Sequence, residues 1–182
     1  MLLAQKIIVA DDHPLFRTAL QQAVSQIAPD AEIVQAESLP ELQTVVEGHT
    51  DTDLILLDLN MPGAHGYSGL VFLRSHYPEI PVMVVSACED PAVMCQAIDH
   101  EASGYIAKSS SLEEISAAIG EVLKGDIYLP KQARQHQHAP DTVSMDLAQK
   151  LASLTPQQFR VLTMMSEGML NKQIAYDLEV SE

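Results

Sequence analysis

The chain has 182 residues, 47% of them apolar, enough for a real core and for one domain plus a smaller piece. Ten Lys and Arg against 25 Asp and Glu give a net charge of −15, which argues against nucleic-acid binding through bulk charge. Two cysteines, Cys88 and Cys95, make neither a disulfide framework nor a metal motif, and no stretch approaches the ~20 apolar residues of a membrane span.

The charge is uneven. Residues 1–130 hold 5 basic and 19 acidic residues, whereas residues 131–182 hold 5 and 6. Two differently built parts are expected. The opening MLLAQKIIVADDHP has an apolar run too short for a signal peptide, interrupted by Lys6 and ended by two Asp. With the free cysteines, this points to a reducing, cytoplasmic setting.

In chain order, KIIVA (6–10) is a buried-strand pattern. Residues 13–28 place Leu15, Phe16, Ala19, Leu20, Ala23, Val24 and Ile27 on one helical stripe. A strand follows over 31–37, then a helix over 39–48 closed by Gly48. DLILLD (53–58) is a strand, 66–77 a helix stopped by Pro78, and PVMVVSA (81–87) a strand. Asp90 caps a helix over 90–100 with Pro91 in its first turn. SGYIAK (103–108) is the last strand. Ser111 and Glu114 have capping-box spacing at the start of a helix ended by Gly125.

Strand and helix thus alternate five times, which predicts an α/β fold with a parallel sheet covered on both faces. Ligands of such sheets bind beyond the carboxyl ends of the strands. Asp11 and Asp12 follow the first strand, Asp58 ends the third, Ser86 ends the fourth and Lys108 follows the fifth. Carboxylates brought together there repel, so they need a cation or one must protonate. An all-oxygen set suits Mg²⁺. Three acids, one lysine and one hydroxyl make a phosphoryl-transfer set, in which a carboxylate can itself be the nucleophile. His13, beside the acidic pair, is expected to be a loop residue leading into the first helix. Cys88 reads as an unreactive small residue, and His136 and His138 as part of a polar linker.

ADDHPLFR (10–17), LLDLNMPG (56–63), VVSA (84–87) and GYIAKSS (104–110) resemble the receiver domain of bacterial response regulators, over residues 5–125. The resemblance implies a flavodoxin-like, doubly wound (βα)5 domain with sheet order 2-1-3-4-5. It implies Asp58 as phosphoacceptor, fed by a sensor histidine kinase or a small phosphodonor. Asp12, Asp58 and the Asn60 carbonyl would bind Mg²⁺ (or Mn²⁺), with Asp11 acting through water. Ser86 and Tyr105 would be the switch pair, the ring turning inward, and Lys108 would bind a phosphoryl oxygen. Many receivers have a proline after that lysine; here it is Ser109. Phosphorylation would promote homodimers through the first and fifth helices, although most of Ile115, Ala118, Ile119 and Val122 on the fifth are needed for the core.

Residues 129–142 are polar with two prolines and read as a linker between a receiver (1–128) and an all-α piece (143–182). Val143, Leu147, Leu151 and Leu154 share a helical face. Thr155, Pro156 and Gln158 open a helix whose stripe is Phe159, Leu162, Met165 and Met169, ended by Gly168. Asn171 caps another with Ile174, Ala175 and Leu178 inward, and Val180 and Ser181 start a third. This resembles the LuxR-type helix-turn-helix, implying a NarL/FixJ-type transcriptional regulator. The sequence stops at Glu182, where the family's recognition helix would begin, so a truncated regulator is expected, with weak DNA contacts from Asn171 and Lys172 and promoter binding reserved for the full-length protein. The two-helix remnant should pack on the receiver or a neighbouring chain, or be mobile. A protein-interaction receiver, or a phosphorylation-independent regulator that does not bind DNA, is the alternative. A haloacid-dehalogenase-type phosphatase is disfavoured because Asn60 stands where its acid would be.

Overall fold

The computed structural model describes residues 5–135 and 142–178. Five parallel strands, β1 (Lys6–Ala10), β2 (Glu32–Ala36), β3 (Leu54–Leu57), β4 (Val82–Ser86) and β5 (Gly104–Ala107), lie in the order β2-β1-β3-β4-β5. Their side chains alternate between two cores. Ile7 and Val9 of β1 enter the core beneath α1 (Pro14–Ile27) and α5 (Leu112–Leu123), with Leu20, Val24, Ile115 and Ile119. Ile8 and Ala10 enter the opposite core, beneath α2 (Leu39–Gly48), α3 (Ser68–His76) and α4 (Pro91–Asp99), with Leu42, Phe72 and Met94. Burial on both faces explains why these strands read as unbroken apolar runs.

Local capping sets the helix starts. Ser38, Asp90 and Ser111 each accept a backbone N–H of the first turn, and Pro14, Pro40 and Pro91 occupy first-turn positions whose N–H groups would find no helical partner.

The segment after α5 is docked. Gly104 forms a parallel bridge with Tyr128, the Tyr105 N–H donates to the Tyr128 carbonyl at 2.9 Å, and the Tyr128 N–H donates to the Ser103 carbonyl at 3.2 Å. A Cβ on Gly104 would stand 3.2 Å from the Tyr128 oxygen and 3.1 Å from Val122, so any side chain there would push these neighbours back by a few tenths of an ångström. A short turn, α6 (Lys131–Arg134), follows, with Ala133 buried against α4. The stretch expected to be polar linker therefore starts as part of the receiver's surface, because Leu129 and Ala133 find apolar partners there.

The last helices lie on the receiver. α7 (Thr142–Ala152) packs on α3, α8 (Pro156–Ser166) on α2 and α3, and α9 (Asn171–Asp177) on α8. Phe159 joins the receiver's own core, Arg160 pairs with Glu47 at 2.7 Å, and the Leu154 carbonyl lies 2.8 Å from His76 Nε2. Thr155 and Gln158 make the expected reciprocal box.

Several sequence expectations change. The buried face of α8 is Phe159 and Thr163, whereas Leu162 and Met165 are exposed, because the helix turns toward α2 and α3 rather than inward on its own bundle. Leu147 is exposed on α7. The helix expected to be capped by Asn171 starts one residue earlier, with the Leu170 N–H donating to Gln173 Oε1. Leu15 on α1 is 89% exposed, while Arg17 is buried instead. Ile115, Ala118, Ile119 and Val122 all face the core, which extends to all four the core role expected of most of them. Val180, Ser181, His136 and His138 lie outside the described residues, as does the side chain of Val143. Among the described residues no peptide bond is cis, so Lys108–Ser109 is trans. None of the described helices is long and apolar enough to cross a membrane.

Candidate functional site

The sheet register builds the site. The Asp11 N–H donates to the Ala36 carbonyl at 3.0 Å and the Asp58 N–H to the Ala10 carbonyl at 2.9 Å, extending the β1 and β3 ladders by one residue each. Both carboxylates are thus fixed by backbone just beyond the apolar runs. Their side chains are 1% and 2% exposed. A strand ends on a buried acid here because the acid is answered by a cation.

That cation is Lys108, which continues past β5. Its Nζ lies 2.6 Å from Asp11 Oδ2 and 2.8 Å from Asp58 Oδ2, and 4.9 Å above the Phe16 ring. Burial alone would lower the pKa of the Lys108 ammonium. The contacts with Asp11 and Asp58 outweigh it, and the net shift is upward. Asp12 is half-buried and adds a third carboxylate.

One ligand atom each of Asp11, Asp12, His13 and Asp58 lies within 4.8 Å of the others. Asp11 Oδ2 and Asp12 Oδ1 are shut off from solvent without a well-aligned hydrogen-bond donor, although Lys108 and His13 nitrogens stand close. Poorly satisfied carboxylate oxygens held within 4.8 Å of one another fit a hard divalent cation.

Asn60 is exposed, and its N–H donates to Asp58 Oδ1 at 3.2 Å. Ser86 is fully buried at the end of β4 and accepts the Cys88 N–H at 3.3 Å. Tyr105 is fully buried too, its hydroxyl donating to the Cys88 carbonyl at 2.7 Å. Burial pushes the Tyr105 phenol up to about 12, a hydrogen bond with Ser86 opposing part of the shift. The aromatic ring thus points inward. Asn171 and Lys172 sit exposed at the start of α9, far along the chain from the acidic pocket.

Sequence reasoning passed over Arg17 and read His13 as a loop residue only. Arg17 is buried beneath the site, donating to the Asp11 carbonyl at 2.7 Å and to Gln35 Oε1 at 2.9 Å, and pairing with Glu37. Its signal was helical spacing: positions 17, 20 and 24 share one face. His13 caps α1 through its carbonyl and turns its ring onto the acidic pair. Adjacency to Asp11 and Asp12 was its only signal.

Residues 7–120 match the family model described as the response regulator receiver domain, and residues 152–182 match that of bacterial regulatory proteins of the luxR family. The chain belongs to this family of response regulators. The glycerol metabolism activator of Pseudomonas putida is 41% identical over 97% of the chain and 82% of its own length. The nitrate/nitrite response regulator protein NarL of Escherichia coli K12 is 33% identical with the same coverage. Among solved structures, the receiver domain of the putative response regulator NarL from Mycobacterium tuberculosis matches with a TM-score of 0.61 and 31% identity, covering 68% of this chain and 99% of that one. RcsB, solved as two dimers bound to two parallel DNAs, has the same fold over 98% of this chain and 85% of its own, at a TM-score of 0.64 and 23% identity. The response regulator described above is therefore a two-component regulator of transcription, a receiver joined to a LuxR-type DNA-binding part.

Proposed function

We propose that this response regulator takes a phosphoryl group onto Asp58 and passes the event to promoter DNA through its LuxR-type part. The observation that carries the reading is one ammonium, that of Lys108, shared by two buried carboxylates on neighbouring strands. In this reading an Asp58 oxygen attacks the phosphorus of a phosphohistidine on a sensor kinase, or of a small acyl phosphate. The new O–P bond forms as the donor's P–N or P–O bond breaks, and the donor leaves with that electron pair. Negative charge moves to the phosphoryl oxygens, and Lys108, released from Asp58 Oδ2, neutralises one of them. Ser86 donates to another. Asp12, Asp58 and the Asn60 carbonyl would hold Mg²⁺ or Mn²⁺, with Asp11 acting through water; the ion would supply further charge neutralisation and fix the donor's geometry.

The receiver then runs on from the expected boundary at 128 to include the docked α6 turn (Lys131–Arg134), and the helix-turn-helix part is the C-terminal one, where Asn171 and Lys172 would meet DNA. No turnover of external phosphomonoesters is expected, because Asn60 has no carboxyl proton to give a leaving group. The test is intact mass after incubation with acetyl phosphate and Mg²⁺. One added phosphoryl group in the wild type and none in Asp58→Asn is the expected result.

A further inference from the structure

We propose that His76 is a proton-dependent latch: its imidazolium holds the turn between α7 and α8 on the receiver, and loss of one ring proton loosens that hold. The latch does not depend on the phosphoryl chemistry at Asp58. It concerns how the LuxR-type part is retained.

The ring sits between two acceptors. Its Nδ1 lies 2.9 Å from the Phe72 carbonyl, one turn back on α3, and its Nε2 lies 2.8 Å from the Leu154 carbonyl in the turn between α7 and α8. A carbonyl oxygen only accepts, so both contacts are hydrogen bonds only when both nitrogens carry a proton. A neutral imidazole has one N–H. Whichever tautomer it took, its other nitrogen would set a lone pair against a carbonyl oxygen at the same short distance.

Two further features favour the charged ring. His76 is the last residue of α3, where the carbonyl end of the helix dipole attracts a cation. The Phe72 ring stands 4.7 Å from the imidazole, and Phe159 of α8 stands 4.9 Å from Phe72. The aromatic cluster that docks α8 therefore also meets the cation.

The charged groups on the elements packed around α3 have partners of their own. Asp146 and Lys150 of α7 pair with each other at 2.6 Å, and Arg160 of α8 pairs with Glu47 of α2 at 2.7 Å. Arg74 of α3 donates to the Ile80 carbonyl at 2.8 Å and lies 3.9 Å from Glu101. Glu167, at the end of α8, lies against Gly63 of the receiver. Burial pushes the neighbouring Tyr77 phenol up, so it keeps its proton. His65 and His100 line the groove beneath α7, beside Leu147 and Leu151, and are the imidazoles that must be told apart from His76.

Docking thus holds a proton on His76. The hold is complete below the ordinary imidazole value of about 6.5 and is lost as pH rises above it.

The test uses the full chain, wild type and His76→Gln. Nitrogen-15 resonances of the imidazoles read the ring protons directly. Amide exchange in α8, taken as protection relative to the intrinsic rate at each pH, reads the hold. At about pH 7.5, where a free imidazole is mostly neutral, both His76 nitrogens should carry protons. Wild-type α8 should be roughly tenfold better protected at about pH 5.5 than at about pH 8.5, and His76→Gln should show equal protection at the two. A neutral His76 ring in a protein whose α8 is protected overturns the latch. So does a pH dependence that survives in His76→Gln, which would belong to His65 or His100. An α8 without protection at either pH overturns the latch and the docking together. Protected amides in β1 and β3 show that His76→Gln has folded; if it has not, the wild-type ring resonances decide alone.

Discussion

The Phe72 and Phe159 rings stand 4.9 Å apart at a 46° tilt, so an aromatic residue of the LuxR-type part sits inside the receiver's core. Phe72 also touches His76, whose Nε2 meets the Leu154 carbonyl. One contact therefore serves two parts of the chain at once.

Phe159→Ala should cost the docking of α8 about 3 kcal/mol, the usual toll of deleting a buried ring. Amide exchange along α8 should rise toward the coil rate while β1, β3 and β4 stay protected. Unchanged exchange in α8 would show that Arg160–Glu47 and the α7–α3 packing suffice without the ring.

Lys108→Ala should leave Asp11 and Asp58 buried with no cation between them. Breaking such a pair from one side costs roughly 3–5 kcal/mol. In chelator the variant should melt well below the wild type. Added Mg²⁺ should raise its melting temperature by more than it raises the wild type's, because the ion now meets no competing ammonium. Equal Mg²⁺ shifts in the two proteins would contradict competition between lysine and metal.

Tyr105 gives a pH prediction. Its folded phenol titrates near 12 instead of the ordinary 10, so folding holds the protonated form. The matching stability is complete below about pH 10 and is lost as pH rises from about 10 toward 12, on the order of 2 kcal/mol. In a phenolate absorbance titration, Tyr105→Phe should remove a late step and leave the early ones. A variant that instead loses an early step would place the Tyr105 hydroxyl in water.

Much of this was legible from residue order. Four-residue apolar runs ending in Asp58 or Ser86 could only be strands buried on both faces, and their polar ends had to lie together at one edge of the sheet. Ser111, Thr155 and Pro91 marked helix starts because a missing N–H partner is a local problem with a local remedy. What escaped was decided by contacts between distant segments. Nothing local says that Arg17 turns under β1 to hold the Asp11 carbonyl, or that α8 buries Thr163 and leaves Leu162 to solvent. The α8 stripe was read as if the helix covered its own neighbours, whereas α2 and α3 claimed Phe159 first.

The Tyr128 bridge to β5 has a practical consequence for anyone cutting the chain. Ending a receiver fragment at Leu123, just past its last long helix, would strip the cover from the outer backbone of β5 and from the groove where Ala133 lies against α4. An uncovered parallel edge strand invites pairing between copies. A fragment carried through Arg134 keeps that edge closed and should stay monomeric where the shorter one self-associates.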